Sequence, residues 1–107
     1  MPLYMTQFSY TPEAWAALLR SPEDRSTALK RLSDQLGGKL VALYYAFGDY
    51  DGVIINEAPD DVTAAAVVLA AVSPGHVKAV KTTRLLTVEE AMEAMRKAGG
   101  ATYRAPG

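Results

Sequence analysis

Phe47-Gly48-Asp49-Tyr50-Asp51-Gly52-Val53-Ile54-Ile55-Asn56-Glu57-Ala58-Pro59-Asp60-Asp61 passes from an acidic, glycine-bracketed turn into a short apolar run and then into a helix start. A second apolar run, Lys39 to Phe47, precedes it. Two runs of strand length joined through a turn that ends in Asp51-Gly52 read as a β-hairpin, because Asp-Gly is a favoured turn pair. Lys39–Phe47 and Val53–Glu57 are therefore the second and third strands of the chain. Ala58-Pro59 closes the third, and Asp60-Asp61 set two carboxylates at the positive end of a helix dipole. That helix runs through an Ala/Val/Leu segment to Ser73-Pro74-Gly75. Its near-continuous apolar character predicts burial on more than one side.

Upstream, Leu3 to Tyr10 is aromatic, apolar and short enough for a strand. Thr11-Pro12-Glu13 opens a helix with Thr as cap and Pro in the first turn. Trp15, Leu18 and Leu19 mark its buried face. Ser21-Pro22-Glu23-Asp24 interrupts it and resembles a second capping box. Ala28, Leu29, Leu32 and Leu36 then continue the stripe to Gly37-Gly38. The reading is one long, broken helix. Downstream, His76 to Leu86 forms the fourth strand. Thr87-Val88-Glu89-Glu90 is a capping box for a last helix with Val88, Met92 and Met95 inward, stopped by Gly99-Gly100.

The order β-α-β-β-α-β plus a terminal helix is the split βαβ, or ferredoxin-like, α+β arrangement, with helices over one face of a four-stranded antiparallel sheet. In the second strand one parity holds Leu40, Ala42, Tyr44 and Ala46, and the other Val41, Leu43, Tyr45 and Phe47. Both faces are apolar, which requires a cover on both sides. One chain supplies a single helix layer, so a second copy is expected against the open face, giving a homodimeric α+β barrel. A charge at Leu43 or Tyr45 is then expected to break the dimer. The alternative cover is the terminal helix folding across the open face.

Residues 1–107 read as a single domain. Half of them are hydrophobic, 21% are charged and the net charge is −1, the balance of a soluble globular protein. Absence of cysteine excludes disulfides and thiolate metal sites, and suits a reducing cytoplasm. Met1 to Thr6 has no signal-peptide pattern. The longest apolar run, Ala64 to Val72, falls far short of the ~20 residues that span a bilayer. No charge block indicates nucleic acid or membrane, and Val53–Glu57 lacks the aromatic and basic residues of an RNA-binding sheet. No phosphate loop, nucleophile elbow or zinc motif occurs, so no metal or cofactor is implied.

Few residues carry chemistry. Gly48, Asp49, Tyr50 and Asp51 occupy the hairpin tip; aspartates there ordinarily bond their own turn amides, and a cation site needs about six oxygens. His76, the sole histidine, stands beside Gly75 at a helix-to-strand turn, where it is a candidate proton shuttle or a plain surface residue. Trp15 reads as core. With Tyr4, Thr6, Phe8 and Tyr10 facing the helices, Gln7 and Ser9 point to the other side of the sheet. A matching parity puts Tyr45, Asn56 and Thr82 there too. Gln7, Tyr45, Asn56 and Thr82 then form either a small-molecule site in an apolar cavity or the polar seam of a dimer.

Gly48-Asp49-Tyr50-Asp51 also carries a family resemblance. With Met1-Pro2-x-Tyr4, Thr11-Pro12, Leu36-Gly37-Gly38-Lys39, Glu57-Ala58-Pro59-Asp60-Asp61 and Thr83-Arg84-Leu85-Leu86-Thr87, it makes the chain resemble the GYD-domain family over nearly its whole length. The resemblance implies a dimeric α+β barrel, a group that includes cofactor-free monooxygenases, polyketide cyclases and muconolactone-type isomerases. It implies no activity of the family's own. Relatives tend to carry a bulky residue where this chain has Gly52, a departure that would loosen the hairpin or open space beside it. Two functions follow. One is a homodimeric module that binds a small apolar or aromatic molecule or simply assembles. The other is a cofactor-free enzyme on an aromatic or polyketide-like substrate, with Tyr45, His76 or Asn56 handling an enolate.

Overall fold

The computed structural model describes residues 1–107. Its elements run β1 (Leu3–Tyr10), α1 (Pro12–Arg20), α2 (Ser26–Gln35), β2 (Lys39–Tyr45), β3 (Gly52–Glu57), α3 (Asp61–Val72), β4 (Val77–Leu85) and α4 (Val88–Gly99). The sheet order is β2-β3-β1-β4, with every pair antiparallel. This is the expected ferredoxin-like α+β arrangement.

Local chemistry sets the helix ends. Thr11 Oγ1 accepts from Ala14 N at 3.1 Å and Pro12 occupies the first turn of α1. Pro22 then prevents the helix from continuing, since a residue before proline is pushed out of the α region and Ser21 sits at φ −147°. The restart is not the expected capping box at Ser21. Asp24 instead accepts from Ser26 N (2.9 Å) and Ser26 Oγ (2.5 Å), so α2 opens from an Asx turn. Asp60 caps α3 by accepting from Thr63 N at 2.8 Å. Thr87 and Glu90 form the anticipated reciprocal box at α4. Gly38 is needed between α2 and β2, because a Cβ there would stand 2.4 Å from the Glu57 carbonyl oxygen.

The hairpin forms as expected, but its connection starts and ends earlier in the chain than the Gly48–Gly52 turn read from the sequence. β2 ends at Tyr45, Phe47 is fully exposed, and Asp51 lies in the connection just before Gly52 opens β3. Ala46 N donates to Asp51 O at 2.8 Å and closes a longer loop.

A register shift between Leu40 and Ala42 changes the face assignments. Leu40 pairs with Asn56, whereas Ala42 pairs with Ile55, leaving Val41 as an extra residue on the edge strand. Leu40, Leu43 and Tyr45 consequently share the helix-covered face with Tyr4, Thr6, Phe8, Ile54, Asn56, Val80 and Thr82. Leu3, Met5, Gln7, Lys39, Ala42, Tyr44, Val53, Ile55, Glu57, Lys81, Thr83 and Leu85 form the opposite, outer face. Strict alternation had placed Leu43 and Tyr45 on the outer face. The bulge reverses that.

Tyr4, Phe8, Tyr10, Ala58, Ala64 and Val67 are the buried apolar residues, between the sheet and the helices. Only 11 of 107 residues are buried, so much of the chain's apolar content has no partner within it. α4 is the clearest case. It has no substantial packing against any other element, and Val88, Met92 and Met95, expected inward, are 77%, 46% and 68% exposed. The projecting helix raises the radius of gyration to 17.3 Å, against about 13 Å for a compact chain of this size. Nor is α3 enclosed on both sides: Val62 and Leu69 remain exposed. No helix is long and apolar enough to cross a membrane.

Candidate functional site

Asp51 organises one end of the helix-covered face. Its Oδ2 accepts from Tyr10 N at 2.9 Å and from the Trp15 indole Nε1 at 3.0 Å. Its backbone N donates to Phe8 O at 2.8 Å. One aspartate thereby ties the hairpin connection to the end of β1 and to α1. Asp49 is exposed and Tyr50 half-buried. No group of three His, Cys, Asp or Glu side chains is placed to hold a metal ion.

Around this anchor the aromatic rings cluster, Trp15 meeting Tyr10 edge to face while Phe8 and His76 are tilted against it. Tyr10 lies 5.1 Å from Phe8, 5.2 Å from Trp15 at 84°, and 6.1 Å from His76, centroid to centroid. Its hydroxyl meets that of Tyr45 at 3.3 Å. Phe8 reaches its position because Gly52 has no side chain: a Cβ there would stand 2.4 Å from Phe8 Cζ. The glycine opens no space beside the hairpin; the Phe8 ring fills it.

A cavity of about 60 Å³ continues from this cluster beneath α2 and α3. Its walls are mostly apolar, with Leu29, Val67, Val68 and Ala71 among them, and its polar groups stand at the two ends. His76, Arg25 and the Tyr10 phenol mark one end, and Asn56, Ser33, Thr6 and Thr82 the other. Thr6 and Thr82 bond to each other at 3.0 Å. Asn56 and Ser33 are 5% and 2% exposed, and every fully enclosed polar side-chain atom in the chain is bonded. Both residues line the cavity. Burial, then the charge of Arg25, holds His76 below the usual 6.5, so its ring is neutral at physiological pH. Burial, then the hydrogen bond with Tyr45, pushes the Tyr10 phenol far above the ordinary tyrosine range. The site offers a neutral imidazole, a protonated phenol and an amide.

Of the residues singled out from sequence, Asn56, Thr82 and His76 line this cavity. Tyr45 lies on the same face but does not line the cavity; it meets the lining residues Tyr10 and Phe8. Gln7 points from the opposite face, paired with Val53 and Lys81. Sequence reasoning missed Ser33 and Arg25. Ser33 follows Leu29 by four residues on the same helix stripe, a legible signal; Arg25 gave none. A second, open cleft lies along α3. There the Tyr4 hydroxyl donates to Asp61 Oδ1 at 2.5 Å, with Arg84 Nε 4.0 Å from the same oxygen. That bond to Asp61, followed by burial, raises the Tyr4 phenol above its usual 10.0.

The fold and the Asp51-anchored hairpin define a ferredoxin-like α+β protein with helices on one face of its sheet. The GYD domain model matches residues 4–95, and the chain belongs to the GYD-domain family. A Thermus thermophilus protein named glutamine synthetase and cystathionine beta-lyase binding protein is 32% identical over 78 residues, covering 73% of this chain and 82% of the relative. Among solved structures, MtbAldR superposes with a TM-score of 0.61 at 15% identity over 80% of this chain. The chain spans about half of that longer protein, 53%. TTHA0845 from Thermus thermophilus gives a TM-score of 0.54 at 17% identity, covering 82% of this chain and 96% of that one. At these identities the two structures speak for the fold.

Proposed function

We propose that this protein is a cytoplasmic, self-associating binding module, one domain over residues 1–107, that pairs through the outer face of its sheet and docks on a partner protein. The carrying observation is the uncovered outer face. Leu3, Met5, Ala42, Tyr44, Val53, Ile55 and Leu85 line it on the side away from the helix layer; Tyr44 is 66% exposed and the others are half-buried. A largely apolar sheet face of this kind, broken by Gln7, Lys81 and Thr83, supports a role in protein interaction. A second copy against it gives the dimeric α+β barrel. Docking on an enzyme is supported by the relative named for binding glutamine synthetase and cystathionine beta-lyase. The exposed Val62 and Leu69 on α3 supply a surface for it on the opposite side of the fold.

A second reading places a small ligand in the cavity, supported by Asn56 and Ser33 lining it and by His76 at its end. At about 60 Å³ it accommodates a few water-sized groups. That is well under the roughly 150 Å³ that holds benzene. So small a volume speaks against the aromatic or polyketide-like substrate of the enzymatic alternative. The decisive test is oligomeric state by light scattering for Ile55→Glu and Tyr44→Glu. Both variants are expected to be folded monomers, with Leu43 and Tyr45 no longer the positions of choice. Unchanged dimers from both would refute the proposed interface.

A further inference from the structure

We infer that α4 is exchanged between copies, so that each α4 covers the β2–β3 half of its partner's outer sheet face. The inference rests on the self-association proposed above. It starts from two uncovered apolar surfaces in one chain that do not meet. Val88, Ala91, Met92 and Met95 recur at i, i+3, i+4 and i+7, a single stripe on α4, with Glu89, Glu90, Glu93, Arg96 and Lys97 on the remaining surface. The stripe packs against no other element of its own chain to a substantial degree: Val88, Met92 and Met95 are exposed and Ala91 is half-buried. The link from β4 is only Leu86 and Thr87, and the Thr87–Glu90 box fixes the first turn, so α4 leaves the sheet in a set direction.

The outer face is not uniform. On its β1–β4 half Gln7, Lys81 and Thr83 are interspersed with Leu3, Met5 and Leu85, whereas its β2–β3 half presents the apolar block Ala42, Tyr44, Val53 and Ile55, with the charged pair Lys39 and Glu57 only at its end. α4 departs from β4, one edge of the sheet, and β2 is the other edge. Consider two outer faces related by a two-fold axis parallel to the strands. If the axis lies under β1 and β4, these two strands of each copy stack on those of the other. The partner's β3 and β2 then overhang beyond β4, over the place from which α4 emerges. A helix about 10 Å across matches two strands about 4.8 Å apart. α3 is a poorer receptor, because the partner's α3 lies behind its sheet, a layer of about 10 Å further away.

Area favours the same arrangement. A patch six paired residues long and four strands wide measures roughly 400 Å², at about 3.3 Å per residue and 4.8 Å per strand. Stable interfaces take about 800 Å² per partner. Full sheet-on-sheet overlap leaves both α4 stripes in water. The offset arrangement covers the same sheet area and adds the stripe, roughly 180 Å² for a 12-residue helix. Methionine side chains at two of its positions adapt to an irregular sheet surface.

The chain has no cysteine, so paired thiols report without background. The test is a Met95→Cys/Ile55→Cys variant treated with a short bismaleimide, beside a Met95→Cys/Leu69→Cys companion. The expected result is conversion of most of the first variant to covalent dimer, with little from the companion. A cross-linked monomer means that α4 folds back on its own sheet and overturns the exchange. So does preferential linkage through position 69, or a light-scattering dimer that does not cross-link. A monomer before any reagent is added is a different failure, that of self-association itself.

Discussion

Gly52→Ala is the sharpest probe of the packing beneath the hairpin. The added Cβ would stand 2.4 Å from Phe8 Cζ, 2.7 Å from Phe8 Cε1 and 2.9 Å from Tyr44 O. The Tyr44 oxygen belongs to the neighbouring strand and has little freedom to move. The Phe8 ring is 4% exposed and held by Tyr10 and Tyr45, so it cannot swing away without disturbing the cluster. Overpacking of this kind costs about 1–3 kcal/mol. Replacing glycine in a compatible backbone returns about 0.4–1 kcal/mol by restricting the unfolded chain, and Gly52 has no positive φ to oppose it. The net expectation is a loss of about 1–2 kcal/mol, lowering Tm by roughly 4–12 °C for a chain of this size. Urea unfolding of wild type, Gly52→Ala, Phe8→Leu and the double variant measures it. The double variant should be less destabilised than the two singles summed, because the smaller side chain leaves room for the methyl group. A Gly52→Ala protein as stable as wild type would refute the close-approach argument, as would strict additivity.

Asp51→Ala removes the acceptor shared by Tyr10 N and Trp15 Nε1, and should destabilise by about 1–3 kcal/mol with a red-shifted emission from the sole tryptophan. Unchanged emission and stability would show that Asp51 is not the anchor. The histidine supplies a pH test. Its folded pKa lies below the unfolded 6.5, so the unfolded chain takes up the proton first as pH falls. Stability is therefore full above about pH 6.5 and declines as pH drops through that value toward the folded pKa. Thermal unfolding between pH 7.5 and 5 should show this decline, and His76→Asn should flatten it; an equal slope in the variant assigns the effect elsewhere.

Most of the architecture was legible because it depends on short-range chemistry. Thr11-Pro12, Asp60-Asp61 and Thr87-x-x-Glu90 cap helices through bonds spanning three residues, and Pro22 interrupts one by its own geometry. The aromatic and β-branched runs between them suit no alternative but strands, and their order admits few topologies. The motif Gly48-Asp49-Tyr50-Asp51 marked the family, but not why its last aspartate matters: both donors to the Asp51 side chain lie more than 30 residues away in sequence. Which side of the sheet each residue takes was also beyond the sequence. Alternation has period two, so one bulged residue at Val41 sends Leu43 and Tyr45 to the helices and Tyr44 outward. That single slip moved Tyr45 away from Gln7, while pairing with β1 carried Asn56 and Thr82 to the cavity side. An apolar stripe records that a helix must be covered and says nothing about by whom; only the tertiary structure decided that α4 does not pack on the sheet of its own chain, because the short β4–α4 link carries the helix away from it.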